Sequence, residues 1–534
     1  MTRLQADVSR GPRLRIVAVN DVYLLDNLPR LHGLIAHYRE HDPADRLLVT
    51  IAGDFVAPSL LSSLDSGAGM VDCLNALGVT HAILGNHEDD IATSELSQRI
   101  QELACPCLGT NVRGFVPELP RFDVVEVTAK SGRTVRVGLV GVVMDDPSIY
   151  QRVPFGGATL LPPNAAARAE SARLRTEEQC AAVVAMTHQT MTDDRALLAE
   201  PDPHFALVLG GHEHQVLIEQ VEGTWIVKAG SDAYHAVVAD LTWPPEAGPG
   251  DAAPDVTVAL DDVQKYPEDL ALRAKVDAHL ERVHALGSAT LRVLPPGEIL
   301  SSVGTRVRQT TLGTLFASRI RRAMLADACV FNGGGIRGAR EYTERFSFGD
   351  LETEVPFANE LVVVPMPGSV LASAIVFSRS HAPVEFSGFL QTCDALVLGP
   401  DHVPVSVQGE PFDPARIYRV ALVRNFFTGM DGVLPLVEFA RASPGAIPAV
   451  GSGREVKLVL LSSFARSLWS QLGGFDRLDT DGDGMLTAAD LERALAETST
   501  AGSAAATAGI LLRALDLDHD GGLDREDAER AQED

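Results

Sequence analysis

The chain has 534 residues, more than a single hydrophobic core usually serves, so we expect two or three domains. Hydrophobic residues make up 46% of the sequence and charged residues 22%, which excludes wholesale disorder and fibrous repeats. Lysine and arginine number 45 against 72 aspartates and glutamates, and the formal net charge of −27 argues against broad nucleic-acid binding and suggests cation ligands instead.

The cysteines and the first residues bear on where the protein resides. Six cysteines are scattered along the chain, too sparsely for a disulfide framework, so we expect reduced thiols. The segment from Met1 to Pro12 is polar and lacks the apolar core of a signal peptide, and no later run approaches the roughly 18 apolar residues of a membrane span. If Met1 is the native start, these features predict a cytoplasmic protein with no membrane partner.

The first half of the chain has the pattern of an α/β domain. Short apolar runs, each about five residues long and rich in Val, Ile and Leu, alternate with helical stretches and predict a domain over residues 13–245. A Pro- and Gly-rich segment, Pro244–Pro254, ends this rhythm. Apolar residues at helical spacing over Glu268–Leu286 then predict a connecting helix within a linker over 246–293.

The second half divides into a further α/β domain and a small helical tail. The pattern over 294–463 includes a predicted helix at Leu312–Leu325 and a strand at Leu361–Val364. The tail over 464–534 is helical and rich in aspartate. Its alanine-rich segment, Thr498–Gly509, is read either as a flexible joint or as a helix.

Five of the apolar runs in the first domain each end in polar side chains. The runs and the residues that follow them are Leu14–Val19 with Asn20 to Tyr23, Leu47–Ile51 with Gly53 and Asp54, Ala82–Leu84 with Gly85 to Glu88, Ala182–Met186 with Thr187 and His188, and Phe205–Leu209 with Gly210 to His214. In sheets of this class, sites gather beyond the carboxyl ends of the strands. We therefore expect the five loops to converge on one crevice.

The residue types in these loops are those of a metal site. Carboxylate, amide and imidazole groups suit divalent transition metals, and a shared carboxylate would hold two ions about 3.5–4 Å apart. Glycines precede Asp54, Asn86 and His212, where the backbone must turn sharply and let ions approach. Each motif alone is weak, because a lone Gly-Asp is usually a turn and a lone histidine is usually a core or surface residue. Together they predict a two-metal hydrolytic site.

The order of these motifs, Asp-x-(His), Gly-Asp, Gly-Asn-His-Glu, Thr-His and Gly-His-x-His, resembles that of the calcineurin-like metallophosphoesterases and specifically their 5′-nucleotidase branch. The resemblance implies a four-layer β-sandwich for the first domain and two divalent transition metals, with Zn, Mn, Fe and Mg left open. The implied ligands are Asp21, Asp54 and His214 for one metal and Asp54, Asn86, His188 and His212 for the other, with Asp54 bridging.

The residues beside Asn86 have implied roles as well. By the same resemblance His87 faces the substrate, and Asp90 stands where the family pairs an aspartate with that histidine. A carboxylate there would orient the ring and favour its charged form. Glu88 and Asp89 are read as solvated residues or as residues that serve local structure.

Tyr23 departs from the family pattern, because it stands where a second histidine usually binds the first metal. Three interpretations are open: Tyr23 binds an iron-like ion, a water replaces the imidazole, or the first metal site is weak. An unperturbed phenol, with a pKa near 10, is a poor ligand unless a strongly Lewis-acidic ion lowers that pKa. We favour the water, because a neutral phenol can still orient a coordinated water by hydrogen bonding.

In the second domain, a glycine-rich turn follows the apolar run Ala328–Phe331. The sequence Asn332-Gly-Gly-Gly-Ile-Arg337 offers a tight backbone turn and a guanidinium group, both of which suit phosphate recognition. A glycine turn with a solvated arginine is the equal alternative for the hexapeptide alone. In the 5′-nucleotidases an arginine before a Met/Leu-Gly pair holds phosphate, and the resemblance gives that role to Arg306, ahead of Leu312-Gly313.

The resemblance also implies a nucleobase clamp in the second domain. Phe357 of Pro-Phe and Phe426 of Asn-Phe would take the two faces of the base, and Asp431 would reach the ribose hydroxyls. Aromatic faces suit bases because stacking contributes about 1–3 kcal/mol per base. The spacing to Asp431 is one residue shorter than the family pattern, and Phe427 is adjacent to Phe426. The choice between the two phenylalanines therefore stays open.

The tail contains two stretches that fit the twelve-residue EF-hand loop, with glycine at the sixth position and an apolar residue at the eighth. The predicted ligands are Asp479, Asp481, Asp483, Met485, Thr487 and Asp490 in the first loop and Asp516, Asp518, Asp520, Gly522, Asp524 and Asp527 in the second. Both loops end in aspartate where glutamate is usual, which predicts weaker calcium binding or a shift toward magnesium. A solvated acidic tail is the alternative. The second exit helix is short and polar.

These features together predict a metal-dependent phosphohydrolase whose partners are a small-molecule nucleotide and calcium. We expect an activated water to attack phosphorus in line, with nucleoside 5′-phosphates or related nucleotides as substrates. A nucleotide-sugar or cyclic-nucleotide phosphodiesterase is one alternative, because it would share the metal ligands and arginines. A calcium-responsive binding protein with an impaired phosphatase site is the other.

Overall fold

The computed structural model describes residues 10–150, 153–199, 205–246, 253–285, 287, 289–357, 359–470, 472–496, 501–516 and 522–530. The chain divides into two compact units, Met1–Leu280 and Glu281–Asp534. Each unit mixes strands and helices, which confirms the mixed α/β class expected from the sequence.

The first unit is built from two six-stranded sheets and the helices between their strands. Its strands are β1 Arg13–Val19, β2 Arg46–Ala52, β3 His81–Ile83, β4 Cys107–Leu108, β5 Val112–Arg113, β6 Phe122–Thr128, β7 Thr134–Val143, β8 Thr159–Leu160, β9 Ala182–His188, β10 Leu207–Gly211, β11 Val216–Val221, β12 Thr224–Ala229, β13 His235–Thr242 and β14 Asp255–Asp262. Its helices are α1 Leu28–His41, α2 Ser62–Asp65, α3 Ala68–Leu77, α4 Thr93–Glu102, α5 Pro163–Thr176, α6 Met191–Leu198 and α7 Leu270–Ala285.

The two sheets pack face to face around one hydrophobic core. The first sheet has the strand order β14-β13-β1-β2-β3-β4, and the second has β11-β12-β10-β9-β7-β6. Leu14 of β1 and Val184 of β9 belong to the core between the sheets. Val183 of β9 faces the other way and packs with Leu174 of α5. Successive strand residues point to opposite faces, so β9, which is buried throughout, serves two apolar layers.

The segment between the two predicted domains contributes more to the first sheet than its sequence indicates. Residues 255–262, which the sequence assigns to the linker, form β14 and pair with β13 along its full length. Exposed and partly buried residues alternate over much of this strand, as expected at a sheet edge. A solvated linker has a similar pattern, and the sequence therefore does not distinguish the two. The predicted connecting helix is α7, Leu270–Ala285.

The second unit centres on a five-stranded sheet with the order β21-β17-β25-β20-β26. Its strands are β15 Thr290–Val293, β16 Leu300–Ser301, β17 Ala328–Asn332, β18 Glu341–Tyr342, β19 Arg345–Ser347, β20 Glu360–Pro367, β21 Leu390–Thr392, β22 Leu396–Leu398, β23 Pro404–Val407, β24 Glu410–Pro411, β25 Ile417–Val423 and β26 Arg454–Glu455. Its helices are α8 Thr311–Ala323, α9 Phe348–Glu354, α10 Gly368–Arg379, α11 Leu434–Ala442, α12 Val456–Trp469, α13 Phe475–Leu478, α14 Ala488–Ala496, α15 Ala501–Leu515 and α16 Arg525–Arg530.

The helical tail is packed onto the rest of the second unit through α12. This helix crosses the predicted boundary at residue 463, and it contacts α8 on one side and α15 on the other. Residues 501–509 of the alanine-rich segment belong to a helix, α15, which packs against α12 and α14. Leu486 and Leu523, one from each aspartate-rich loop, pair as an antiparallel bridge.

All six cysteines carry free thiols, and every one except Cys105 is buried. Among the described residues, no helix is both long and apolar enough to cross a lipid bilayer.

Candidate metal centre and substrate-binding residues

The loops that carry the predicted metal ligands follow neighbouring parallel strands. Strands β1, β2 and β3 are parallel neighbours in the first sheet, and β9 and β10 are parallel neighbours in the second. The backbones of Asp21, Asp54, His212 and His214 all have positive φ. Non-glycine residues adopt this conformation rarely, and it is concentrated at functional sites.

The side chains predicted for the first metal lie together. One ligand atom each of Asp21, Asp54 and His214 falls within 4.8 Å of the others. Nε2 of His214 is 3.3 Å from Oδ1 of Asp21. The Tyr23 hydroxyl lies in the same group, 3.1 Å from Oδ2 of Asp54 and 3.4 Å from Oδ1 of Asp21. The structure therefore places Tyr23, the residue that differs from the family pattern, in this cluster.

The side chains predicted for the second metal adjoin the same aspartate. Nε2 of His188 is 3.1 Å from Oδ2 of Asp54, the oxygen that also contacts Tyr23. Nδ1 of His212 is 3.2 Å from Oδ1 of Asn86, and the rings of the two histidines are edge to face with centroids 5.5 Å apart. Asp54 thus lies between the two predicted groups of ligands.

Two buried nitrogens test whether this donor set fits a metal. Nε2 of His212 is buried and makes no hydrogen bond within the described chain, and Nε2 of His188 is buried against the Asp54 carboxylate at 3.1 Å. Nδ1 of His188 lies 2.8 Å from the carbonyl oxygen of Ala52, a bond that fixes the ring and directs Nε2 toward Asp54. A buried polar atom without a partner is costly, and a divalent cation would satisfy Nε2 of His212 and be shared by His188 and Asp54. The residues fit the expected metals.

The charges around Asp54 favour its ionised form. Burial opposes ionisation, but His188 and His87 outweigh it and hold the pKa of Asp54 below its usual range. Burial, reinforced by the neighbouring His188, lowers the pKa of His212 to about 3, so this imidazole stays neutral as a ligand must. Burial and then the charges of Asp54 and Asp21 raise the pKa of Tyr23, which keeps the phenol protonated.

His87 is held beside this centre as a cation. Its Nδ1 lies 2.7 Å from Oδ2 of Asp90, and its backbone N–H donates to Oδ1 of Asp54 at 2.9 Å. Burial works against protonation, but the carboxylates of Asp90 and Asp54 outweigh it and raise the pKa of His87 to about 10. The imidazolium can therefore donate a proton or stabilise negative charge.

Of the two interpretations that the sequence leaves open for Glu88, the structure supports a role in local structure. The side chain is 0% exposed, and its carboxylate accepts the backbone N–H groups of Asp54 at 2.9 Å, Phe55 at 2.7 Å and Val56 at 3.0 Å. Asp89 is also buried, and Oδ1 accepts the N–H of Phe155 at 2.7 Å. Both residues serve local structure, and Glu88 holds the turn that carries Asp54.

Glycines leave room at the closest approaches between these loops. A Cβ on Gly85 would lie 2.2 Å from Oδ1 of Asp54, and one on Gly211 would lie 2.4 Å from the carbonyl oxygen of Ala52. Gly53 combines a positive φ with a similar contact to His188. Side chains at these positions would push the ligand loops apart.

The predicted substrate residues of the second unit form two pairs. Nδ2 of Asn332, at the end of β17, donates to Oδ2 of Asp431 at 2.5 Å, and Oδ1 of Asn332 is buried without a hydrogen-bond partner in the described chain. The guanidinium of Arg337 lies over the Phe357 ring, 5.5 Å from its centroid, and that ring is 44% exposed. Arg306, in the turn beside the glycines, lies 3.6 Å from the Glu385 carboxylate.

The second ring of the predicted clamp differs from the sequence expectation. Phe426 is 0% exposed and Phe427 is 7% exposed, so Phe426 has no face open to a base in this structure. Both side chains face the core because they lie in a short helical turn directly after β25. Phe386 is half-buried, its ring stacks on His381, and its backbone N–H donates to the carbonyl of Arg306 at 3.1 Å.

The first aspartate-rich loop gathers its carboxylates. Ligand atoms of Asp479, Asp481 and Asp483 lie within 4.8 Å of one another, and Oδ1 of Asp479 accepts the N–H of Gly482 at 2.8 Å. The Asp490 carboxylate accepts the N–H of Thr487 at 3.0 Å and its hydroxyl at 2.7 Å.

The second aspartate-rich loop is described only in part. Asp518 and Asp520 lie outside the described residues. Asp516, Gly522 and Asp527 are buried, and the backbone N–H of Asp527 donates to Oδ1 of Asp524 at 2.8 Å.

Comparison with known proteins supports both halves of this arrangement. The family model of the calcineurin-like phosphoesterases matches residues 14–216, and that of the 5′-nucleotidase C-terminal domain matches residues 288–438. The chain therefore combines a calcineurin-like phosphoesterase domain with a 5′-nucleotidase C-terminal domain. It is an enzyme, a 5′-nucleotidase-like metallophosphatase, and its phosphoesterase domain implies divalent metals.

Curated relatives align with most of this chain at low identity. Protein UshA of Yersinia enterocolitica is 24% identical over 447 residues, which is 72% of this chain and 78% of that protein. A 5′-nucleotidase of Vibrio vulnificus is 25% identical over 381 residues, which is 60% of this chain and 66% of that protein.

Solved structures agree with the fold. NAD nucleotidase of Haemophilus influenzae superposes with a TM-score of 0.63 and 13% identity, over 85% of this chain and 96% of that chain. A 5′-nucleotidase precursor from Thermus thermophilus superposes with a TM-score of 0.51 and 20% identity, over 80% of this chain and 92% of that chain.

Two buried charged residues lie beside the candidate metal centre: Glu88, for which the sequence left two interpretations, and Lys228, which the sequence did not single out. Glu88 lies within the Gly-Asn-His-Glu motif, and its position there is the signal that marks it. Lys228 interrupts the apolar strand β12, and a lone lysine between Val227 and Ala229 is the signal for a buried partner.

Proposed function

We propose that this protein hydrolyses the phosphate ester of nucleoside 5′-monophosphates or related nucleotides at a dinuclear metal site. The observation that carries the proposal is the position of Asp54. Its Oδ2 is 3.1 Å from Nε2 of His188 and 3.1 Å from the Tyr23 hydroxyl, so one carboxylate adjoins both groups of candidate ligands. A shared carboxylate is the usual bridge in two-metal hydrolytic sites.

The candidate ligands divide into two sets around this bridge. Asp21, Asp54 and His214 would hold one ion, and Asp54, Asn86, His188 and His212 would hold the other. When bound, two such ions supply Lewis-acid stabilisation of the phosphoryl oxygens and lower the pKa of water at neutral pH.

His87 is the candidate acid. Asp90 orients its ring and the two neighbouring carboxylates keep it protonated, so Nε2 can donate a hydrogen bond or a proton to the departing oxygen. The alkoxide of a nucleoside is a poor leaving group, and this proton transfer would lower the barrier to its departure.

The second unit has residues whose chemistry suits a nucleotide. Arg306 and Arg337 carry the positive charge that a phosphate needs, and the exposed Phe357 ring has a face available for a base. Asp431, hydrogen-bonded by Asn332, has carboxylate oxygens that can accept from ribose hydroxyls.

The test is phosphate release from a panel of nucleoside monophosphates, nucleotide sugars and cyclic nucleotides in Zn²⁺, Mn²⁺ and Mg²⁺, with metal analysis of the purified chain. We expect release from 5′-monophosphates and two transition ions per chain. Asp54→Asn should remove nearly all activity, whereas Asp255→Asn, at the exposed start of β14, should not. Preferential cleavage of diesters would favour the phosphodiesterase alternative, and fewer than two ions with no turnover would favour an impaired site.

We also propose that the aspartate-rich tail binds calcium or magnesium as a paired EF-hand. The support is the convergence of Asp479, Asp481 and Asp483 together with the bridge between Leu486 and Leu523, which joins the two loops. Calcium titration of the full chain, followed by calorimetry, tests this. Asp479→Asn should weaken binding, and Asp476→Asn, just outside the loop, should leave it unchanged.

A further inference from the structure

Lys228 is a fully buried lysine on β12, with 0% of its side chain exposed. Its ammonium nitrogen lies close to four oxygens. They are the carbonyl oxygens of Gln189 at 2.7 Å and Gly211 at 2.8 Å, Oδ2 of Asp194 at 2.9 Å and Oε2 of Glu213 at 2.5 Å. An ammonium group has three protons, so all of its donors are engaged.

The partners of this ammonium group are the immediate neighbours of candidate metal ligands. Gln189 follows His188 at the end of β9, and Gly211 precedes His212 at the end of β10. Glu213 lies between His212 and His214. One charged group therefore ties together the two backbone segments that carry all three histidines of the candidate centre.

The remaining atoms of this network are also held. Nε2 of Gln189 donates to Oδ1 of Asp194 at 3.1 Å, and Asp194 is 0% exposed on α6. The second oxygen of Glu213 accepts the backbone N–H of Met191, at the start of α6. Strand β12, helix α6 and the two histidine loops are thus joined through one ammonium group.

Gly210 leaves space for the lysine stem. A Cβ at this position would lie 2.7 Å from Cε of Lys228 and 3.1 Å from Oδ2 of Asp194. Gly210 lies on β10 beside β12, and its φ is not positive, so conformational freedom does not explain the glycine. The space it leaves is filled by Lys228.

We propose that Lys228 is a positioning residue for the metal centre, which holds the His188 and His212–His214 loops at the separation that metal binding requires. The inference rests on the proposed metal-dependent function and assigns a role to a residue outside the ligand set. A purely structural ion pair with Asp194 would stabilise the fold without setting metal affinity. The two roles therefore differ in whether the Kd for a metal ion changes when Lys228 is displaced.

The experiment compares Lys228→Met/Asp194→Asn, Gly210→Ala and the control Lys130→Met with the wild-type chain. The double variant removes one positive and one negative charge together, so the net charge of the network does not change. Gly210→Ala keeps every charge and displaces the lysine stem. Lys130 is exposed in the turn after β6. The readouts are the Kd for Mn²⁺ of the metal-stripped chain by calorimetry, Tm, and kcat and KM for p-nitrophenyl phosphate.

We expect both test variants to bind Mn²⁺ about 10–100-fold more weakly than wild type, because residues that orient metal ligands have effects of this size. Their kcat should fall with little change in KM, and Lys130→Met should match wild type. If the double variant does not fold, Gly210→Ala alone decides. Wild-type Kd and kcat in the folded test variants would overturn the role of Lys228 while leaving the proposed function intact. A wild-type chain that binds no Mn²⁺ or other transition ion would overturn both.

Discussion

The hydroxyl group of Tyr23 lies 2.8 Å from Nε2 of His214. It therefore lies beside a candidate metal ligand, and Tyr23 stands at the position where the sequence resemblance leads us to expect a histidine. Burial and the charges of Asp54 and Asp21 raise the pKa of this phenol, so it is protonated and acts as a hydrogen-bond donor in this structure. A donor at this point is suited to orienting a water molecule rather than to binding an ion directly.

Replacing Tyr23 by Phe should leave two transition ions per chain and lower kcat about tenfold, the size of effect expected when one orienting hydrogen bond beside a metal is lost. Tyr23→His should instead tighten the first metal, because an imidazole is a better ligand than a neutral phenol. Metal analysis after equilibrium dialysis and phosphate release measure the two effects.

The matched control for Tyr23→Phe is Tyr38→Phe, which removes a hydroxyl bonded to Asp261 in the same unit. Tyr38→Phe should change neither the metal content of the chain nor kcat. Loss of one ion in Tyr23→Phe would contradict the orienting role and identify Tyr23 as a direct ligand.

His87→Asn should lower kcat for nucleoside monophosphates by about 10²–10⁴-fold, the usual contribution of a positioned general acid. The loss with p-nitrophenyl phosphate should be much smaller, since nitrophenolate departs without a proton. Asp90→Asn should act in the same direction and more weakly, because Asp90 is the main group that raises the pKa of His87. Equal losses on both substrates would refute the acid role.

Phe357→Ala should weaken nucleotide binding by about 1–3 kcal/mol, seen as a higher KM, and should spare phenyl phosphate, because only the nucleotide has a base to stack. Val397→Ala, another exposed apolar side chain of the second unit, is the control. Parallel losses on the two substrates would show that Phe357 is not part of a base clamp. Phe426→Leu and Phe427→Leu, measured in the same assay, distinguish the two candidates for the second ring.

Glu88→Gln should destabilise the protein by about 2–3 kcal/mol. The carboxylate accepts backbone N–H groups from Asp54, Phe55 and Val56, and an amide would turn an N–H₂ toward donors in a buried site. Calorimetry of the full chain measures the change in Tm. Glu118→Gln, at an exposed position, should leave Tm unaltered and serves as the control. A Glu88→Gln chain with the Tm of the wild type would mean that the turn does not depend on this carboxylate.

Asp490→Glu should tighten calcium binding about tenfold, because the longer side chain can reach bidentate coordination at the last position of the loop. In the structure the Asp490 carboxylate accepts from both the N–H and the hydroxyl of Thr487. Titration with Ca²⁺ and with Mg²⁺ measures the change, and Glu492→Asp on the same helix is the control. Unchanged calcium affinity would refute the coordination argument.

The sequence alone determined the α/β class and the five strand ends that carry the candidate metal ligands. Apolar runs with polar residues at their carboxyl ends are local patterns, and parallel strands bring such ends to one edge of a sheet whatever their order in the chain. This geometry brings Asp21 and Asp54 together, and His214, which follows β10 of the second sheet, joins them because the two sheets pack face to face.

Only the tertiary structure decided which charged and aromatic side chains are buried. Glu88 and Lys228 have the local sequence of polar residues, yet each is enclosed by backbone groups from other loops. Phe426 lies in the core rather than in an open cleft, and β14 joins a sheet by pairing with β13. These outcomes depend on contacts between residues far apart in the chain, which no short stretch of sequence encodes.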